Sequence, residues 1–492
     1  MIRTLKVRLL AVTLVLTAAA CTDAAAPEPE PGTFVVGVRE PVSLLPARVV
    51  DVPGQLVTAA LWTPLTVRDP GAQEVKPAAA VSVTSPDQVT WTVKLQPGMR
   101  FHDGSAVTAR SYTGAWQAAV AERWPGAAVL TDVLAAKDMR AVDDLTIELF
   151  LARPFTQVPM VLGATALFPL PDKVLATRDW AGFGREPVGT GPYRLSGPWQ
   201  DGVRLVRFDG YLGDAPGKAR EIIVRVLDDQ YDQVRAGTVD LATAVPGGRH
   251  EAMGTEFADR HAEWPLPELT YLSFPLADQR FRDPVVRHAF ALAVDRAALE
   301  AGPLDRQVDP ARSLLPPSVA LPARSGVCRP CNHDPEAAKS LLRQVEGFTG
   351  PVHVYHAAGQ ETLARAVAEQ LGGTLALDVD ARPVPDGRAP DTLDGPFVGS
   401  RPLFSPSPRE PMTGIAGYAP DGFAELLATA DAAADPAGRD QLYRVAENQI
   451  LRDLPVVPLF SRHAHTVWSE RLRVSRPDPA RALELAAVEV TG

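Results

Sequence analysis

A chain of 492 residues exceeds what one hydrophobic core usually spans, and at roughly 150 residues per domain it divides into about three domains. Hydrophobic residues make up 46% and charged residues 22%, which excludes wholesale disorder and a polytopic membrane protein. A formal net charge of -10 lacks the basic surface that replaces phosphate counterions, so nucleic acid is excluded as a partner; the three cysteines, Cys21, Cys328 and Cys331, rule out a scaffold of many disulfides.

Residues 1 to 21 place Arg3, Lys6 and Arg8 before a short apolar stretch, Leu9 to Ala20, with Cys21 directly after Ala18, Ala19 and Ala20. That is the layout of an export signal, and the stretch is shorter than the roughly 20 residues of a permanent membrane helix. Small residues before a cysteine resemble a bacterial lipobox, although Ala18 stands where Leu is usual. The reading is a signal peptide over 1–20 and acylation of Cys21, with plain secretion after Ala20 as the alternative. Residues 21–32, with Pro27, Pro29 and Pro31 among acidic residues, read as an extended lipidated tether.

Thr33 to Val38 is a β-branched run that predicts a buried strand. Val52-Pro53-Gly54-Gln55 leads into a helix through Leu56, Ala59 and Ala60, stopped by Pro64. Thr90 to Leu95 alternates with period two, a half-buried strand, and Pro97-Gly98 turns it.

The segment Met99-Arg100-Phe101-His102-Asp103-Gly104, continuing to Thr108-Ala109, resembles the signature of family 5 extracellular solute-binding proteins, the peptide, nickel and opine receptors of ABC importers. Further motifs follow in family order. They are Val188-Gly189-Thr190-Gly191-Pro192-Tyr193, Asp209-Gly210-Tyr211, Arg235 to Leu241, Phe281 to Arg296, Asp334 to Leu342, and Asp453 to Phe460. Each also has a structural reading: Gly104, Gly189 and Gly191 as tight-turn or positive-φ positions, and Asp334 as an N-cap with Pro335 at N1. In the helix from Pro284, Val285, Ala289, Leu292 and Ala293 form the expected inward stripe.

The resemblance implies an α/β, periplasmic-binding-protein-like type II fold, with two lobes around a ligand cleft and an additional inserted domain. Its implied boundaries are 33–52 plus 188–265 plus 460–492 for lobe I, 53–187 for the insertion and 266–459 for lobe II. It implies a monomeric, non-enzymatic receptor with no cofactor, capturing an oligopeptide or peptide-like ligand for an ABC permease. A metal chelate, opine or sugar on the same scaffold is the nearest alternative. An exported hydrolase or redox protein is the other.

No Gly-x-Ser-x-Gly elbow, His-Glu-x-x-His helix or Walker loop occurs. Cys328-x-x-Cys331 reads as a disulfide staple before the Asp334 cap, with a zinc or thiol-exchange site as lesser alternatives. His353-x-x-His356 and His463-x-His465 read as exposed histidines, and no metal site is expected.

Peptide-binding members of the family carry an acid-bearing stretch in the second lobe whose carboxylate pairs with the ligand's ammonium. Its counterpart here is Phe397 to Pro408, and no Asp or Glu occurs from Gly395 to Arg409. Phe404 and Ser407 stand where the carboxylates usually do, with Ser405 between them. Arg401 and Arg409 suit an anionic group instead, or else are solvated loop residues. Val52, Gly54 and Gln55 resemble the segment that pairs its backbone with an extended ligand, and Tyr271 and Phe404 supply apolar walls.

Overall fold

The computed structural model describes residues 30–68, 74–304, 307–319, 328–415, 417–477 and 482–491. The signal segment 1–20, Cys21 and all of the tether but its last three residues lie outside the described residues.

One 13-residue strand, Val456–Trp468, organises the molecule. Its first half pairs antiparallel with Glu268–Ser273, and its second half with His261–Pro265 and Leu241–Ala242. On the latter side the sheet continues through Thr33–Val38, Glu221–Val226, Arg204–Arg207 and Tyr193–Leu195. Thr33–Val38 is buried throughout and pairs parallel with Glu221–Val226, as its unbroken apolar run requires. On the other side the order is Glu268–Ser273, Phe397–Pro402, Val352–His356 and Val379–Pro383. The last two are parallel, with the helix Glu361–Leu375 between them in sequence.

The two largest apolar cores divide at this strand. One takes in Phe34, Trp62, Trp116, Tyr193, Trp264 and Ala464. The other takes in Leu272, Phe281, Phe290, Tyr443 and Phe460. The chain crosses between them at Leu266–Leu269 and again at Phe460–Ala464. A separate four-stranded antiparallel sheet, built from Ala80–Thr84, Thr90–Leu95, Ala136–Asp143 and Thr146–Leu151, shares the first core through Val93, Ile147 and the helix Ala109–Ala121.

The family motifs act as joints. His102 Nδ1 accepts from the Gly189 N–H at 3.2 Å while its Nε2 lies 3.1 Å from the Gly191 carbonyl. Burial pulls the His102 pKa down to about 4, so the neutral ring bridges both glycines. A Cβ on Gly189 would come 1.9 Å from the Leu61 carbonyl oxygen. Neither Gly189 nor Gly191 has positive φ, so close approach rather than conformational freedom requires glycine there; Gly104, at φ +85°, is the positive-φ position. Asp334 caps its helix by accepting from Ala337 N.

The helix Pro284–Ala293 departs from the expected stripe. Val286, Ala289, Phe290 and Ala293 are buried, whereas Val285 and Leu292 are only half-buried. The stripe turns because Phe290 joins an aromatic cluster with Phe274 and Phe281. Arg287 is buried beside it and donates to the carbonyls of Phe281, Arg282 and Asp453.

Candidate ligand-binding cleft

The strand Phe397–Pro402 lies between two neighbours of unequal length. Glu268–Ser273 pairs with it along its full length, but Val352–His356 pairs only with Phe397 and Val398. Leu403 N–H donates to the Pro267 carbonyl, and on the opposite edge the Val398 carbonyl accepts from Ala357 N–H. Main-chain groups alternate along an antiparallel strand, so those of Ser400 face away from Glu268–Ser273, past the end of the shorter neighbour. No backbone partner for Ser400 on that edge occurs among the described residues.

Side chains frame this open edge. Tyr271 is opposite Gly399, and Arg401 and Phe397 share the same strand face. The Tyr271 and Phe397 rings meet edge to face at 6.2 Å, and the Phe397 ring occupies the space a Cβ on Gly399 would need. Burial raises the Tyr271 phenol above its ordinary value, while the nearby Arg401 charge opposes the rise. Arg401 is half-buried and donates through Nη1 to the Thr413 carbonyl at 2.6 Å. Its other N–H groups have no partner among the described residues. On the opposite face the Ser400 hydroxyl bonds Thr270 Oγ1 and accepts from Gln360 Nε2.

The rest of the stretch is engaged with the protein itself. Glu410 is buried, and its carboxylate accepts from Phe404 N, Ser405 N and Ser405 Oγ. Burial raises its pKa and these bonds lower it, with burial the larger effect. The Phe404 ring packs against the first core, although the strand it follows, Phe397–Pro402, contributes Val398 to the second. Ser407 is fully buried and donates to Gln157 Oε1 at 3.0 Å. Arg409 is taken up by Asp431, as is Arg153. In this conformation Ser405, Ser407 and Arg409 therefore join elements of the chain, and Tyr271, Ser400 and Arg401 remain the groups presented at an edge.

Val52, Gly54 and Gln55 lie in the first turn of the helix Val52–Leu61, where Gln55 N–H donates to the Asp51 carbonyl. They do not form an extended segment. Pro53 is tolerated in that turn because the N–H it lacks would have no helical partner. Gly54 is required by the Asp51 carboxylate and the Ser43 carbonyl, 2.7 and 2.8 Å from where its Cβ would be. Cys328 and Cys331 are joined, with Cα atoms 5.3 Å apart. His353 faces Asp380, and His356 lies 3.1 Å from the Ala357 carbonyl; contrary to the expectation of exposed histidines, His356 and His465 are buried in their strands and His353 and His463 are half-buried.

Sequence reasoning missed Ser400, Gln157 and Asp431. Asp431 had a signal: with Phe423, Leu427 and Ala430 it falls on the buried side of the helix Phe423–Ala432, where a carboxylate needs a partner.

Residues 74–418 match the family model described as bacterial extracellular solute-binding proteins, family 5 Middle. The chain belongs to family 5 of the bacterial extracellular solute-binding proteins. Among relatives, the glutathione-binding protein GsiB of Pectobacterium atrosepticum is 28% identical over 426 residues, covering 79% of this chain and 80% of that protein. GsiB of Escherichia coli K12 is 26% identical over 442 residues, covering 81% and 83%. The murein tripeptide binding protein MppA of Escherichia coli superposes with a TM-score of 0.77 at 18% identity, covering 94% of this chain and 98% of MppA. DppA from Helicobacter pylori, in complex with the peptide STSA, gives a TM-score of 0.76 at 20% identity over 94% and 98%. The family 5 fold, with two lobes around a cleft, is thus established for this chain.

Proposed function

We propose that this family 5 protein captures a short peptide or peptide-like ligand in extended form and presents it to an ABC permease without chemically altering it. The observation that carries the reading is the open edge at Ser400, flanked by the Tyr271 ring and the uncommitted N–H groups of Arg401. A main chain added at that edge gains hydrogen bonds from the strand, and its side chains fall alternately into flanking pockets. Arg401 favours a carboxylate on such a ligand through its planar donor pair. The names of the relatives, a glutathione-binding protein and a peptide complex, support the same ligand class. Lobe I would comprise 33–52, 188–265 and 460–492, lobe II 266–459, with 53–187 inserted. Acylated Cys21 would tether the monomer outside the cell membrane.

Titration calorimetry of the purified mature protein with glutathione and with tri- and tetrapeptides tests this. The expected result is saturable binding of at least one of them, weakened tenfold or more by Arg401→Ala. Absence of heat with all of them, together with binding of an opine or sugar, would replace the peptide reading.

A further inference from the structure

Three side chains far apart in sequence converge on the first-core side of the crossing between the cores. His465 lies on the long strand Val456–Trp468, and Glu263 is its direct cross-strand partner on His261–Pro265. His250 opens the helix His250–Phe257, which packs over both strands. His250 Nε2 is 2.9 Å from His465 Nδ1. Glu263 Oε2 stands 3.9 Å from the first nitrogen and 3.7 Å from the second.

The carboxylate is too far from either ring for a hydrogen bond, yet it is aimed at both. The nearest point equidistant from three atoms so spaced lies in their plane about 2.1 Å from each, which is the bond length zinc makes to imidazole nitrogen and carboxylate oxygen. We propose that His250, Glu263 and His465 bind one zinc-like divalent transition-metal ion, which clips the helix His250–Phe257 to the paired strands where they approach the second core.

The donor set agrees. Two imidazoles and one carboxylate suit zinc, whereas calcium and magnesium take oxygen donors. His465 is 4% exposed and held in the long strand, so its ring is fixed in place. Glu263 is exposed and opens the cluster to solvent, so water completes a four-coordinate shell. His463, two residues earlier, is engaged by Asp309 at 3.0 Å. Neighbouring side chains on one strand are therefore split between two partners, and the ligand set is assembled across strands and helix. The inference is independent of the ligand in the cleft.

Mature protein stripped with a chelator and titrated with zinc chloride, against a fluorescent zinc indicator, tests it. One equivalent should bind, the thermal midpoint should rise with zinc concentration by mass action, and cobalt(II) should show the visible absorption of a four-coordinate ion. Glu263→Gln, at the surface, and His250→Gln, half-buried, should each weaken zinc binding at least tenfold, and Glu263→Gln should leave the metal-free midpoint unchanged. No zinc binding by the parent protein would overturn the proposal. So would equal binding by both variants, which would assign the ion to other histidines, or a lowered metal-free midpoint at undiminished zinc affinity.

Discussion

Arg409 Nη1 lies 2.6 Å from Asp431 Oδ2, and the Asp431 side chain has no solvent exposure. The same oxygen accepts from Arg153 Nε at 2.8 Å, and Oδ1 accepts from the Tyr443 hydroxyl at 2.7 Å. Arg153 follows the four-stranded sheet, whereas Arg409, Asp431 and Tyr443 belong to the other side of the molecule. One buried carboxylate thereby ties the segment that follows the four-stranded sheet to the second core, and an arginine with the right chemistry for a ligand anion is committed to it instead.

Asp431→Asn should cost about 3–5 kcal/mol, the usual penalty for breaking a buried pair, because two guanidiniums lose their counter-charge. The exposed pair Arg140 and Asp138, 60% and 44% accessible, serves as the control: Asp138→Asn should leave stability nearly unchanged. Urea unfolding of both variants checks the contrast, and equal losses would contradict it.

Glu410 sets a pH dependence. Its folded pKa is raised above the ordinary 4.5, so the folded state holds a proton that the unfolded state releases between those two values. Its contribution is full below 4.5 and is lost as pH rises through the folded value. The stability of the parent protein relative to Glu410→Gln should therefore fall as pH increases across that window. A difference independent of pH, measured by urea unfolding, would mean that Glu410 has an unshifted pKa.

Cys328 and Cys331 should yield no alkylatable thiols when the freshly exported protein is denatured without reductant. The closed loop is short, so reduction should cost about 2 kcal/mol and leave the fold intact. Two free thiols, counted by mass, would be the contrary result.

N-acetylation of a bound peptide should change its affinity by less than about tenfold, or 1.4 kcal/mol. No carboxylate lies between Gly395 and Arg409, and Glu410 is already saturated by Phe404 and Ser405. A hundredfold loss in calorimetry would point to an acid elsewhere, with Asp394, now accepting from the Tyr355 hydroxyl, the first to substitute.

Cys21→Ser should release the protein into the medium, because a diacylglyceryl group supplies two chains and anchors stably by itself. Retention of the variant on cells, or a parent protein without lipid by mass, would favour plain secretion.

Family membership was legible in the sequence because the joints that define the fold are local. Asp334 caps a helix three residues on, Gly104 turns a loop within one motif, and Thr33–Val38 carries its burial in its composition. The absence of acids from 395 to 409 was equally plain. What the sequence could not give was partnership across distance. Ser407 and Gln157 are 250 positions apart, His250 and His465 are 215 apart, and Arg153 meets Asp431 across 278. Periodicity places a side chain on a face but does not say which face of another element it meets. Arg401 and Arg409 read alike in the sequence, and Ser405 and Ser407 read as ligand contacts. Only packing decided that Arg401 keeps free N–H groups at an open strand edge, while Arg409 and both serines are drawn into contacts within the protein, because a buried charge or hydroxyl must be satisfied by whatever polar group the fold brings beside it.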